Sequence, residues 1–143
     1  MLTLHFHKTN TFIGKAIRFI TRGSVNHVSI ETPDFIFEAS MKYGVIRWHK
    51  EDFNKSTIVK SISFEIGEID KTLDFLYKQE WKCYDWLGVL SFIWVLLPQR
   101  IGKWYCSELA MVALMKYLGI TEYKQKQSPQ DLLLLAQIIK RYE

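Results

Sequence analysis

The chain has 143 residues, the length of one domain, with 48% hydrophobic and 15% aromatic content, which supplies an ordinary core and excludes a disordered polypeptide. Nineteen basic against fifteen acidic residues leave a formal +4. That mild excess fits an anionic substrate, a membrane surface or simple solubility, and singles out none of them.

The first residues alternate apolar and polar side chains and predict a strand over Leu2–His7; they lack the charged start, apolar run and small-residue cleavage site of a signal peptide. Residues 12–20 have helical spacing, with Phe12, Ile13, Ala16, Ile17 and Ile20 on one side, and Gly23-Ser24 ends that helix. Residues 26–30 and 35–39 read as short strands around the turn tripeptide Thr32-Pro33-Asp34. Residues 44–48 and 57–66 complete an antiparallel sheet.

After Gly67 the pattern becomes helical. Residues 70–81 form one helix; residues 84–97 form a mostly buried second, stopped by Pro98. Its longest apolar stretch, 12 residues from Trp86 to Leu97, falls short of the roughly 18–20 needed to cross a bilayer. No transmembrane segment is expected, and peripheral membrane contact stays open. Residues 103–118 carry Cys106 near their start and end at Gly119, suited to the position after a helix. Ser128-Pro129-Gln130-Asp131 is a helix start: Ser caps, Pro occupies the first turn and Asp faces the positive dipole end. Residues 132–139 continue it as a buried final helix. The fold class is α+β, one domain over residues 1–143, with a small antiparallel sheet packed against helices.

Two cysteines, Cys83 and Cys106, are too few for a disulfide framework, and no CxxC or Cys/His metal spacing exists. Free thiols in a reducing, cytoplasmic setting follow. Cys83 precedes a buried helix and reads as packing. Cys106 lies in Lys103-Trp104-Tyr105-Cys106-Ser107-Glu108-Leu109. Free N–H groups and the dipole at a helix start favour thiolate over thiol, and the same N–H groups can hold an oxyanion during acyl transfer. Trp104 and Tyr105 suggest a wall beside a cleft. An inert buried cysteine fits this segment equally well.

The register of two strands discriminates better. With a four-residue loop over residues 31–34, Ile30 pairs with Phe35 and Val28 with Phe37, making one apolar face. His27 then lies directly opposite Glu38, within reach of an imidazole–carboxylate hydrogen bond. A carboxylate on one ring nitrogen fixes the tautomer and leaves the other nitrogen for a thiol. His5 and His7 share a strand face, yet no third metal ligand accompanies them, and His49 reads as a surface residue at a strand end.

The order His, carboxylate, Cys resembles the circularly permuted branch of the NlpC-type papain-like superfamily, in particular YiiX-like proteins; lecithin retinol acyltransferases are more distant. The resemblance runs through Phe12-Ile13-Gly14-Lys15-Ala16-Ile17, Asn26-His27-Val28, Phe37-Glu38-Ala39, Gly44-Val45, Tyr84-Asp85-Trp86-Leu87-Gly88, Trp104-Tyr105-Cys106-Ser107-Glu108-Leu109 and Ser128-Pro129-Gln130-Asp131-Leu132. It implies a permuted papain-like fold and a Cys106–His27–Glu38 triad. It further implies an oxyanion or substrate region near Tyr105, with Trp104 and Ser107 beside it, and no metal or other cofactor. Glu38, where many acyltransferase relatives have a second histidine, points to the bacterial YiiX-like branch.

The expected activity is a cysteine hydrolase cleaving an amide of the peptide or isopeptide type through a thioester. The expected partners are a peptide, a cell-wall fragment or a lipid or acyl compound. An acyl-ester hydrolase or acyltransferase using the same triad is the alternative, and a catalytically silent binding protein of the same fold is a third reading. Nucleic acid is not expected as a partner, because no basic stripe interleaved with aromatics appears.

Overall fold

Alternation in the first half of the chain produces strands that each have one apolar face. The computed structural model describes residues 1–90, 103–121 and 127–143. Among them are five strands, β1 (Leu2–His7), β2 (His27–Glu31), β3 (Phe35–Ser40), β4 (Gly44–His49) and β5 (Ile58–Phe64). They form one antiparallel sheet in the order β4-β3-β2-β1-β5. Helix α1 (Phe12–Thr21) joins β1 to β2; α2 (Ile69–Gln79), α3 (Trp86–Leu90), α4 (Cys106–Tyr117) and α5 (Pro129–Tyr142) follow the sheet. The α+β class and the antiparallel sheet packed on helices agree with the sequence pattern.

Leu2, Leu4 and Phe6 of β1, Val28 and Ile30 of β2, and Phe37 and Ala39 of β3 are all buried in one core with the helices. The central helix of that core is α4. Its Leu109, Ala110, Ala113 and Leu114 are fully buried, and it packs on β1, β2, β3, α2 and α5. A helix covered on so many sides is apolar around most of its circumference, which is what its sequence provides. Truncating Leu109 to Ala there costs about 2–5 kcal/mol through lost burial and the cavity left behind.

The opposite sheet face is polar and internally bonded. Thr3 pairs with Ser63 at 2.9 Å, His5 Nδ1 with Ser61 at 2.8 Å, and His7 Nε2 with Ser29 at 2.9 Å. His5 Nε2 also meets Glu31 at 2.8 Å, so this histidine is held by a hydroxyl and a carboxylate. Among the described residues no group of three or more metal-ligating side chains occurs, and no helix is long and apolar enough to cross a membrane.

Four expectations change in detail. The β2–β3 register is offset by two residues: Ser29 lies opposite Glu38 and Ile30 opposite Phe37. The loop is residues 32–34, closed by Thr32 N–H donating to Phe35 O at 2.9 Å and Thr32 Oγ1 donating to the same oxygen at 3.0 Å. Glu31 thereby stays in the ladder. A two-residue shift keeps every side chain on its face, so the hydrophobic pattern alone does not distinguish the two pairings.

Second, Cys83 is exposed. It lies in an extended segment whose backbone is the bonding group, Cys83 O accepting from Trp104 N–H at 3.2 Å. Third, that pairing holds residue 104 extended, so α4 begins at Cys106 itself and not at residue 103. Fourth, Phe12 is not on the packed side of α1. The buried side runs through Gly14 and Ile17, and Phe12 points into solvent. The expected helix beyond Leu90 as far as Leu97, with its stop at Pro98, lies outside the described residues.

Helix boundaries follow local chemistry. Thr11 Oγ1 accepts from Gly14 N–H at 3.1 Å to cap α1. Ser128 and Asp131 form a reciprocal capping box on α5 with Pro129 in its first turn, as the sequence implies. Gly119, at φ 72°, follows α4, and Ile120 N–H reaches back to Met115 O at 2.8 Å. Gly44 opens β4 at φ 75°, and a side chain there would collide with Lys82 O. That close approach lets Val45 exchange backbone hydrogen bonds with the residues at 81 and 82.

Candidate active site

The first residue of β2 and the first residue of α4 meet. Asn26, just before β2, is 3% exposed, and its side chain bonds Thr9 three times: its Oδ1 accepts from the N–H at 2.9 Å and from the hydroxyl at 3.3 Å, and its Nδ2–H donates to Thr9 O at 2.9 Å. This clamp fixes the position of the next residue, His27, between β1 and the α1 segment. His27 Nε2–H donates to Glu38 Oε2 at 2.7 Å. The contact is diagonal across the ladder, and a glutamate is long enough to span that step.

Glu38 is held from its other oxygen as well, since Trp48 Nε1–H donates to Oε1 at 2.9 Å. Burial pushes the Glu38 carboxyl upward, and the His27 hydrogen bond and charge, with the Trp48 bond, outweigh it and hold the group below the ordinary carboxylate range. The carboxylate is therefore charged at neutral pH.

With Nε2 committed to Glu38, the remaining ring nitrogen of His27 is the one available to Cys106. Burial works against a charged imidazole here. Cys106, as both a charge and a hydrogen-bond partner, and then Glu38 outweigh that penalty and push the His27 pKa up to about 10. An imidazolium between a sulfur and a carboxylate is the preferred state. Cys106 is 5% exposed, and no side chain caps the first turn of α4, because its N-cap is Tyr105. The backbone N–H groups of that turn thus lack a side-chain acceptor from the cap position.

A cleft of about 410 Å³ opens over His27 and Glu38. Ile17, Met41, Trp48, Phe53 and Tyr84 give it apolar walls, and Thr11, Asn54 and Thr57 line its polar parts. Tyr84 is 7% exposed. Burial, then the charges of Cys106 and Asp85, raise its hydroxyl well above the usual tyrosine range, so it remains neutral.

The sequence-derived residues are thus placed as follows. Cys106, His27 and Glu38 come together. Tyr105 is 1% exposed and packs against the α3 side, where a side chain added at Gly88 would strike it. Trp104 turns toward α2, donating from Nε1 to Gln79 Oε1 at 3.0 Å and meeting Phe75 edge-on. The Ser107 hydroxyl donates to Gln127 O at 2.7 Å and tethers the segment before α5. Among the described cleft-lining residues are His27, Glu38 and Tyr84, and not Cys106, Trp104, Tyr105 or Ser107; the sulfur lies buried behind the His27 ring.

Three contributors carry no role at this site in the sequence reading. Trp48 lies two residues beyond the partner of Glu38, Ile46, on the same face of β4, so alternation after Gly44 was the available signal. His7 sits beside His27 with ring centroids 5.2 Å apart. It bonds Ser29 Oγ through Nε2 at 2.9 Å and Thr57 Oγ1 through Nδ1 at 3.0 Å. Burial first, then the His27 charge, lower the His7 pKa to about 3, leaving it a neutral neighbour of a charged ring. Tyr84 entered the sequence reading only as the first residue of the Tyr84-Asp85-Trp86-Leu87-Gly88 resemblance, with no role of its own. Comparisons of the chain with protein-family models, curated proteins and solved structures return no match.

Proposed function

We propose that the chain is a cysteine hydrolase in which Cys106 is the nucleophile, His27 its acid–base partner and Glu38 the group that orients His27. The observation that carries this reading is the placement of the His27 ring, hydrogen-bonded to Glu38 on one side at 2.7 Å and to Cys106 on the other. A histidine serving packing alone would not need both. The resemblance to permuted NlpC-type papain-like enzymes, YiiX-like ones in particular, supports the same assignment.

In this mechanism the Cys106 thiolate attacks an amide carbonyl and its sulfur bonds to carbon. The oxyanion is met by backbone N–H groups at the start of α4 and by the neutral Tyr84 hydroxyl. His27 gives its proton to the departing amine, and the C–N bond breaks to leave a thioester. His27, now neutral, takes a proton from water, whose oxygen displaces the sulfur as the acid is released. A reducing compartment such as the cytoplasm suits this chemistry, since both cysteines are free.

The substrate class we favour is a peptide or isopeptide amide. A lipid or acyl ester is the second reading, favoured by the apolar walls contributed by Ile17, Met41 and Phe53. The test is the rate of iodoacetamide labelling of Cys106 near neutral pH. Incubation with mixed peptide and acyl-ester substrates then follows, with mass spectrometry of the trapped adduct. Fast labelling lost in Cys106→Ala, together with an acyl adduct on that sulfur, is the expected result. Slow labelling with no adduct would reduce the protein to a binding module.

A further inference from the structure

The four basic residues among the first thirty positions, Lys8, Lys15, Arg18 and Arg22, face no acidic residue in that stretch; the remaining chain holds fifteen of each sign. The entire formal +4 therefore belongs to α1 and its approach. On α1, Phe12, Lys15, Phe19 and Arg22 recur at i, i+3, i+7 and i+10, one stripe along the helix. All four are exposed, Phe12 at 87% and Phe19 at 86%. Two solvent-facing phenylalanines on one stripe have no packing role in the chain itself. The remaining basic residue of the helix, Arg18, is turned inward, its Nη1–H donating to Thr9 O at 2.6 Å. The inner side of the same helix belongs to the cleft, through Thr11, Gly14 and Ile17.

We infer that α1 docks the protein on an anionic lipid surface, with Phe12 and Phe19 entering the acyl boundary and Lys15, Arg22 and Lys8 meeting lipid phosphates. Aromatic and cationic side chains alternating along one short helix are the pattern that adsorbs in the plane of a bilayer interface. Charge decides between occupants. A second copy would bring its own Lys8, Lys15 and Arg22 against these three, whereas an anionic bilayer supplies the complementary sign along the whole stripe. With α1 on the surface, the cleft mouth it lines lies next to the headgroups. This inference goes beyond the hydrolase reading and does not need turnover.

The test is co-sedimentation of the full chain with phosphatidylcholine vesicles, with and without phosphatidylglycerol. Retention on the anionic vesicles alone, weakening as salt is raised, is expected. The Phe12→Ser/Phe19→Ser double variant should bind about tenfold more weakly or worse, with an unchanged circular dichroism spectrum because both rings are already in solvent. Lys15→Gln with Arg22→Asn should weaken it about 30-fold, two charges at roughly a factor of five each; asparagine is chosen because Arg22 has φ 50°. Equal retention on neutral and anionic vesicles, none on either, or no loss in the phenylalanine double variant would overturn the inference. So would a concentration-dependent dimer that the double variant abolishes, which would make the covering partner another copy. None of these results bears on the labelling of Cys106, so the two readings fail separately.

Discussion

His27 and Glu38 are bonded at 2.7 Å although they are not opposite each other: Glu38 faces Ser29, and the contact crosses the ladder on the diagonal. The diagonal has a consequence for what can replace Glu38. The directly opposed site would suit a shorter acid, but two residues of offset need the extra methylene of glutamate.

Glu38→Gln keeps the length and the Trp48 acceptor and removes the charge. Hydrolysis should fall by about 10²-fold or more, the scale of a misassisted acid–base group. The His27 ring titration, followed by NMR, should drop from about 10 toward its ordinary value. Glu38→Asp should not rescue activity, since its carboxylate falls short of the ring. An Asp variant as active as the parent would remove the diagonal contact from the mechanism.

The pH profile carries its own sign. Leaving-group protonation requires His27 to hold a proton, and its pKa is raised from 6.5 to about 10. Turnover should therefore persist through neutral pH and decline on an alkaline limb near pH 10, an apparent value belonging to the Cys106–His27 pair. Stability follows the same direction. The contribution of a group with a raised folded pKa is fully present below 6.5 and is lost as pH rises through about 10. Denaturation midpoints measured between pH 7 and 10.5 should fall on the alkaline side, and Cys106→Ala should flatten that decline.

His7 behaves in the opposite sense. Its folded pKa is about 3 against 6.5 in the free side chain, so on acidification the unfolded chain takes up a proton that the folded protein refuses. Stability should drop as pH falls below 6.5, at up to about 1.4 kcal/mol per pH unit. The depressed carboxylates Glu31 and Glu38 add their losses only below 4.5. Urea denaturation at pH 6.5 and 4.8 isolates the histidine. His7→Gln, which can still bond Ser29 and Thr57, should show a smaller difference between the two pH values; an unchanged slope would assign it elsewhere.

How much of this was legible in the sequence depends on which physical signal each feature leaves. Alternation exposed the strands, because β2 and β3 each bury one face: Val28, Ile30, Phe37 and Ala39 sit in the core as their spacing requires. The same signal has period two, so it is blind to a two-residue offset. The pairing of residue 27 with residue 38 was expected as a direct opposition and exists as a diagonal. Capping chemistry is local, and the Ser128–Asp131 box was readable at once. Apolar residues without a partner were not: Phe12 fits a helical stripe by spacing, yet the side of α1 that packs is chosen by Gly14, which lies against Thr9 and Asn26. Trp104, Tyr105 and Ser107 flank the sulfur in sequence, but a helix start sends successive side chains in different directions. Only Cys106 points at His27, while Trp104 goes to Gln79 and Ser107 to Gln127.

Trp48 supplies the last prediction, because it acts on the reacting groups only through Glu38. Its indole N–H is a neutral donor to a largely buried carboxylate at 2.9 Å, and hydrogen bonds to charged acceptors are worth about 1.5–3 kcal/mol. Trp48→Phe removes the donor and leaves most of the ring volume in the cleft wall. With one anchor gone, Glu38 becomes a stronger base and can rotate about its remaining bond to His27. Turnover should fall by about tenfold, less than for Glu38→Gln, since the charge that supports the imidazolium survives. The loss should lie in kcat and not in KM, and a thermal melt should show the fold intact. A purely structural tryptophan would lower the melting temperature while leaving kcat of the folded fraction unchanged, and that pattern would take Trp48 out of the chain of hydrogen bonds that aims His27.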